Sequence, residues 1–63
     1  MTDLDKVREA LIVVERYYQE WTTDTGEQVI GFGHYSYNEN LFSIEVYFDE
    51  NGRYLSIHKN FNA

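Results

Sequence analysis

The chain has 63 residues with 11 acidic and 5 basic side chains, a formal net charge of −6, one Trp, six Tyr, four Phe and no cysteine. The lack of cysteine excludes a disulfide staple and a thiolate metal site and fits a reducing cytoplasm, while the acidic balance argues against direct nucleic-acid binding, which draws its affinity from Lys and Arg on phosphates. A chain this short buries only roughly 60% of its unfolded surface, so an unusually aromatic core or a second copy of the chain is expected to supply the missing stability.

Apolar residues first recur at Leu4, Val7, Leu11, Val14, Tyr18 and Trp21, the three-and-four spacing of one helical stripe. The spacing predicts a helix over about residues 3–21, capped by Thr2 or Asp3, with Asp5 three residues after Thr2 in a capping-box arrangement. Ile12 and Val13 widen the stripe, as suits a helix lying on a sheet. Neither this segment nor any other reaches the length of a membrane span, and the opening MTDLDKVREA is acidic, unlike a secretory signal. A cytoplasmic protein with no membrane partner is expected.

The cluster TTDTGE, Thr22 to Glu27, marks a turn, after which the period changes from 3.6 to 2. Strands are expected over about 28–37, 41–48 and 53–61, separated by NEN and DENG. In the second hairpin Phe42, Ile44, Val46 and Phe48 must share a face with Leu55, Ile57 and Phe61. A two-residue type I′ turn at Asn51-Gly52 achieves this by pairing Phe48 with Leu55 and Val46 with Ile57. The competing three-residue loop with a glycine bulge would set Phe48 across from Tyr54. In the first hairpin a three-residue loop Asn38-Glu39-Asn40 puts Ile30 and Phe32 on the face of Val46 and Phe48, with Tyr47 across from Gly31. One domain over 1–63 results: an α+β, two-layer fold in which an N-terminal helix packs on a three-stranded antiparallel meander, αβββ.

One helix covers one side of such a sheet. The other side is expected to expose Tyr35, Tyr37, Tyr47 and Tyr54, flanked by Glu45 and His58, an aromatic composition typical of interface centres. These six residues are the candidate binding site. Glu45 and His58 fall opposite each other and read as a cross-strand pair, not a catalytic dyad, since no cysteine exists and no serine occupies a nucleophile elbow. The GFG at Gly31 to Gly33 lacks the Lys-Ser/Thr and following helix of a phosphate loop, and Asp49-Glu50-Asn51 holds only a fragment of a calcium loop. No catalytic residue, metal or cofactor is expected.

The order of helix and meander resembles double-stranded RNA-binding domains, without their final helix and lysine cluster. The opening helix and VYFDENGRYLSIHKNF are similar to the two ends of nuclear-transport-factor-2-like cones, whose pocket needs a chain roughly twice as long. Neither covers enough of the sequence to carry residues over. The expected function is a non-enzymatic protein-binding module, an inhibitor or accessory protein of the kind phages encode, acting on another protein or on a second copy of itself. The alternatives are an acidic mimic of nucleic acid that occupies a basic groove, and a single-strand binder that uses its tyrosines as stacking platforms.

Overall fold

In a computed structural model, which describes residues 1–60, one helix packs on a four-stranded antiparallel sheet. The helix α1 spans Asp3–Val13; the strands are β1 Tyr18–Thr22, β2 Gln28–Ser36, β3 Leu41–Phe48 and β4 Tyr54–Lys59, in the spatial order β1-β2-β3-β4. The class is α+β, with one strand more than the sequence predicts. Phe61, assigned above to the last strand, lies outside the described residues.

The helix begins as its sequence dictates. Thr2 is the N-cap: its hydroxyl accepts from the Asp5 N–H at 3.1 Å, and the Asp5 carboxylate accepts from the Thr2 N–H at 3.2 Å. These bonds from Thr2, together with the nearby Arg8 guanidinium, hold the Asp5 carboxyl below its ordinary value of 3.8. Because the folded value is the depressed one, the contribution is present above the unfolded value and lost as pH falls through the folded one. We therefore expect the urea midpoint of the native chain to fall as pH is lowered through and below the ordinary carboxyl value of 3.8, and the Asp5→Ala chain to show a flatter profile over that range. Parallel profiles would remove Asp5 from the account.

The helix ends eight residues before the predicted boundary at Trp21, at Val13. Glu15 takes a left-handed conformation (φ 56), its N–H donates to the Ile12 carbonyl at 3.0 Å, and the Arg16 N–H reaches back to the Leu11 carbonyl at 2.9 Å. This is the Schellman stop, with glutamate where glycine is usual. Downstream, Tyr17, Tyr18, Trp21 and Thr22 are residues that favour strands over helices, and β1 pairs with β2 from Tyr18 opposite Phe32 to Thr22 opposite Gln28. The three-residue step from Tyr18 to Trp21 fits a helical stripe, but in a strand it sends the two rings to opposite faces.

The core lies between α1 and the sheet. Leu4 and Leu11 of the helix meet Ile30, Val46 and Phe48, with Val7, Tyr18, Phe32 and Ile44 packed around them. Leu55 and Ile57, expected in this core, are 47% and 45% exposed on edge strand β4, whereas α1 also reaches the opposite edge, β1. There Arg8 bridges to Glu20 with paired bonds of 2.8 and 2.9 Å, a contact that keeps the Arg8 guanidinium proton even more firmly than usual.

Both hairpins depart from their predicted loops. Ser36 pairs with Leu41, which leaves four residues, Tyr37 to Asn40, in the first loop, and Asn40 adopts φ 54. The longer loop moves the β2–β3 register by one residue and a further shift between Phe32 and Tyr35 moves it by another, so that Glu45, not Tyr47, faces Gly31, and Tyr47 faces Val29. Ile30 pairs with Val46 where the expected register would pair it with Phe48, but the two stay on one face, since a shift of two preserves the faces.

In the second hairpin Gly52 alone among the turn residues has positive φ (83), so the loop is not type I′. The glycine-bulge loop forms instead and Phe48 faces Tyr54; a further shift beside Tyr47 then restores the predicted partners, Val46 with Ile57 and Glu45 with His58. Tertiary contacts explain the choice. Asp49 Oδ1 accepts from the N–H groups of Asn51 and Arg53 at 2.8 and 2.9 Å, and the Gly52 carbonyl accepts from the Leu4 N–H at 3.0 Å, tying the turn to the helix start.

Candidate functional site

The sheet face turned away from α1 is built on small or branched residues at its centre with rings laid across them. Gly31 has no side chain, and Trp21 and Phe42 close over it: a Cβ at position 31 would lie 2.6 Å from Phe42 and 2.8 Å from Trp21. The two rings stack at 6.2 Å with 22° between their planes. Phe42, expected on the helix side with Ile44 and Val46, is thus held on the opposite side. The cause is a β-bulge between Phe32 and Tyr35, where the register shifts and Tyr35 comes to face Phe42.

From Phe42 the aromatic surface continues outward. Tyr35 meets Phe42 at 4.9 Å and 61°, and Tyr37 meets Tyr35 at 4.9 Å and 82°, an edge-on arrangement favoured by the ring quadrupoles. The Tyr35 hydroxyl donates to Asn40 Oδ1 at 3.1 Å, which anchors the ring to the loop. Tyr37 itself is 85% exposed. Tyr17, just before β1, and Gln19 within it complete the wall, the Gln19 amide donating to the Tyr17 hydroxyl. Tyr17, Gln19, Tyr35, Tyr37 and Phe42 together line a groove of about 260 Å³.

The six residues singled out from the sequence separate into three places. Tyr35 and Tyr37 lie together in the groove wall. Tyr47, Glu45 and His58 form a second group on the same face: the His58 ring sits 4.7 Å from that of Tyr47 and its Nε2 is 3.2 Å from Ser56 Oγ. Burial, with Glu45 and Glu27 nearby, pushes the Tyr47 phenol above its ordinary 10.0. Glu45 is not an exposed flank but only 5% accessible, shielded in the sheet centre with Asn60 Nδ2 3.5 Å from its Oε1. No ion pair joins it to His58 among the described residues.

Tyr54 stands apart. It faces Phe48 beside the hairpin turn, its N–H donates to Asp3 Oδ2 at 2.9 Å, and its ring joins none of the aromatic pairs among the described residues. Nor is the face bare, as the sequence suggested: Val29 is 1% exposed and Phe42 7%, covered by neighbouring side chains of the same face. What reaches solvent is the outer surface of the rings.

Sequence reasoning missed Tyr17, Gln19, Trp21 and Phe42. The first three were assigned to the helix, and Phe42 could be placed only by knowing the bulge. A usable signal was present in Tyr17 to Thr22, whose β-favouring composition conflicts with a helix. A second, larger cleft of about 340 Å³ lies between the two turn tips, lined by Thr25, Gly26, Glu27, Asp49, Glu50, Asn51 and Leu55. Its polar edge is already used internally, Gln28 Nε2 donating to the Asp49 and Glu50 carbonyls at 3.3 Å each. Among the described residues no group of three His, Cys, Asp or Glu could hold a metal ion, and no helix is long and apolar enough to cross a membrane. Comparison with protein-family models, curated proteins and solved structures gives no match.

Proposed function

We propose that the chain is a protein-binding module, an inhibitor or accessory protein, whose docking surface is the groove walled by Tyr35, Tyr37 and Phe42. The observation that carries this is the edge-on series Tyr37–Tyr35–Phe42, in which Tyr37 and the half-buried Tyr35 present ring faces and edges to solvent above a buried Phe42, beside an open groove. At about 260 Å³ the groove is smaller than a drug-sized pocket and suits one or two side chains of a partner. Aromatic-lined grooves receive proline or aromatic rings because such rings bury area with little loss of rotamer freedom. The net charge of −6 favours a segment flanked by Lys or Arg, chiefly by speeding encounter.

Selection of a random displayed-peptide library on the immobilised chain tests this. Ring-bearing segments with basic flanks should be enriched on the native chain and lost on Tyr37→Glu, which places a carboxylate at the most exposed ring of the groove without touching the core. Absence of enrichment, or equal enrichment on Tyr37→Glu, would refute the proposed surface. Sedimentation of both chains separates capture of a foreign segment from self-association: a native dimer that Tyr37→Glu dissociates would make a second copy the occupant.

A further inference from the structure

Asn51-Gly52 is a dipeptide with chemistry of its own, independent of the aromatic groove. When a glycine follows asparagine, no side chain shields the peptide nitrogen, which can attack the asparagine side-chain amide. The Gly52 N–H gives up its proton to solvent base and the nitrogen bonds to Asn51 Cγ. The Cγ–Nδ2 bond breaks and the amide leaves as ammonia. Water then opens the resulting cyclic imide at either carbonyl, giving aspartate or isoaspartate at position 51. The proton lost from Gly52 is returned by solvent to the leaving amide, so the base is regenerated, one water is consumed and one ammonia is released.

The folded turn opposes each part of this reaction. The Gly52 N–H is engaged with the Asp49 carbonyl at 3.0 Å. The N–H groups on either side of that of Gly52, those of Asn51 and Arg53, are both held by Asp49 Oδ1. Closing the ring requires rotation within Asn51, and this shared carboxylate resists it. Gly52 is also buried, so tightly against Thr2 that a Cβ would sit 2.9 Å from that side chain, and its carbonyl caps the Leu4 N–H. The start of α1 is therefore seated on Gly52, the residue whose nitrogen must move.

The geometry points to Asn51-Gly52 as a latent self-modification site, kept closed by the Asp49 clamp and the docked N-terminus of α1, and released when that end of the helix lifts. Isoaspartate at position 51 would add a methylene to the main chain between the Asp49 clamp and the Gly52 carbonyl. The clamp and the helix seat could not then both be satisfied, so the change would hold the latch open. Exposure of the dipeptide thus becomes a covalent record of having opened.

The full chain, incubated at neutral pH and digested, is followed by mass spectrometry and chromatographic separation of the aspartate and isoaspartate peptides. A stable fold exposes its open form only on the order of 1% of the time or less, so the native chain should convert on the order of 100-fold more slowly than the chain in denaturing urea. Asp49→Ala, with a native far-UV spectrum, should convert at least about tenfold faster than the native chain, since two bonds to a charged acceptor are lost. Equal rates in the native and urea-unfolded chains would overturn the proposal whatever the variant does. So would a folded Asp49→Ala chain that converts no faster than the native one. Should Asp49→Ala not fold, Asp3→Ala, which removes the acceptor of the Tyr54 N–H at the same junction, takes its place with the same two outcomes.

Discussion

Val46→Asp is expected to leave no folded protein. Val46 is 5% exposed, pairs with Ile30 on one side and Ile57 on the other, and forms the core cluster with Leu4, Leu11 and Phe48. A carboxylate there loses its hydration, and Arg8 of α1 is already committed to Asp5 and Glu20 at 3.0 and 2.8 Å. An unpaired buried charge costs several kcal/mol, whereas a core of this size rarely supplies more than about 3–5 kcal/mol in total. The far-UV spectrum should lose its sheet and helix signal at ambient temperature without denaturant. A soluble Val46→Asp chain with native spectrum would mean that α1 covers the other face of the sheet.

That prediction stands on the part of the fold that sequence patterning fixes well. From Ile44 to Tyr47 and from Ser56 to His58 inward and outward residues alternate, and the register read from them is the one observed. The N-terminus of α1 was equally legible because Thr2 and Asp5 carry the capping box in their spacing. The other end was not. A Schellman stop is advertised by glycine, and here Glu15 occupies the left-handed position, at a strain on the order of 1 kcal/mol or more, so no stop residue interrupts the apolar stripe and only the β-favouring composition of Tyr17 to Thr22 speaks against its continuing. The strand that follows exists because β2 offers it a free edge to pair with, which is tertiary information.

The candidate site divides along the same line. That aromatic residues populate the face opposite α1 follows from period-two alternation in β2 and β3, and Tyr35 and Tyr37 were found that way. Which of them meet depends on two places where the period breaks, the bulge after Phe32 and the shift beside Tyr47. Each break reassigns the residues beyond it. Phe42 moves to the aromatic side and Tyr54 leaves it, while Glu45, read as a rim residue, is enclosed over Gly31 in place of Tyr47. Asn51-Gly52 shows the same override in miniature: its intrinsic preference for a type I′ turn yields to the bond between Gly52 and Leu4 and to the Asp49 carboxylate.

Gly33→Val should dismantle the groove and unfold most of the chain with it. Gly33 holds φ 89 in the bulge, and a Cβ there would fall on Ser43 Oγ, the atom that accepts from the His34 N–H at 3.0 Å and pins the bulge to β3. A β-branched residue at this φ costs about 1–3 kcal/mol in backbone strain, and the overlap with Ser43 adds about 1–3 kcal/mol of overpacking. Their sum rivals the whole stability of a core this small. The chain's escape is to remove the bulge, but Tyr35 would then no longer face Phe42, and the edge-on series of rings that defines the site would come apart. Chemical synthesis of the chain with D-alanine at position 33 separates the two causes, because a D-residue accepts positive φ and directs its methyl away from Ser43. The D-alanine chain should keep a urea midpoint near that of the native chain and retain peptide capture, while Gly33→Val loses both. Equal midpoints for Gly33→Val and the native chain would show that the bulge does not set the position of the rings.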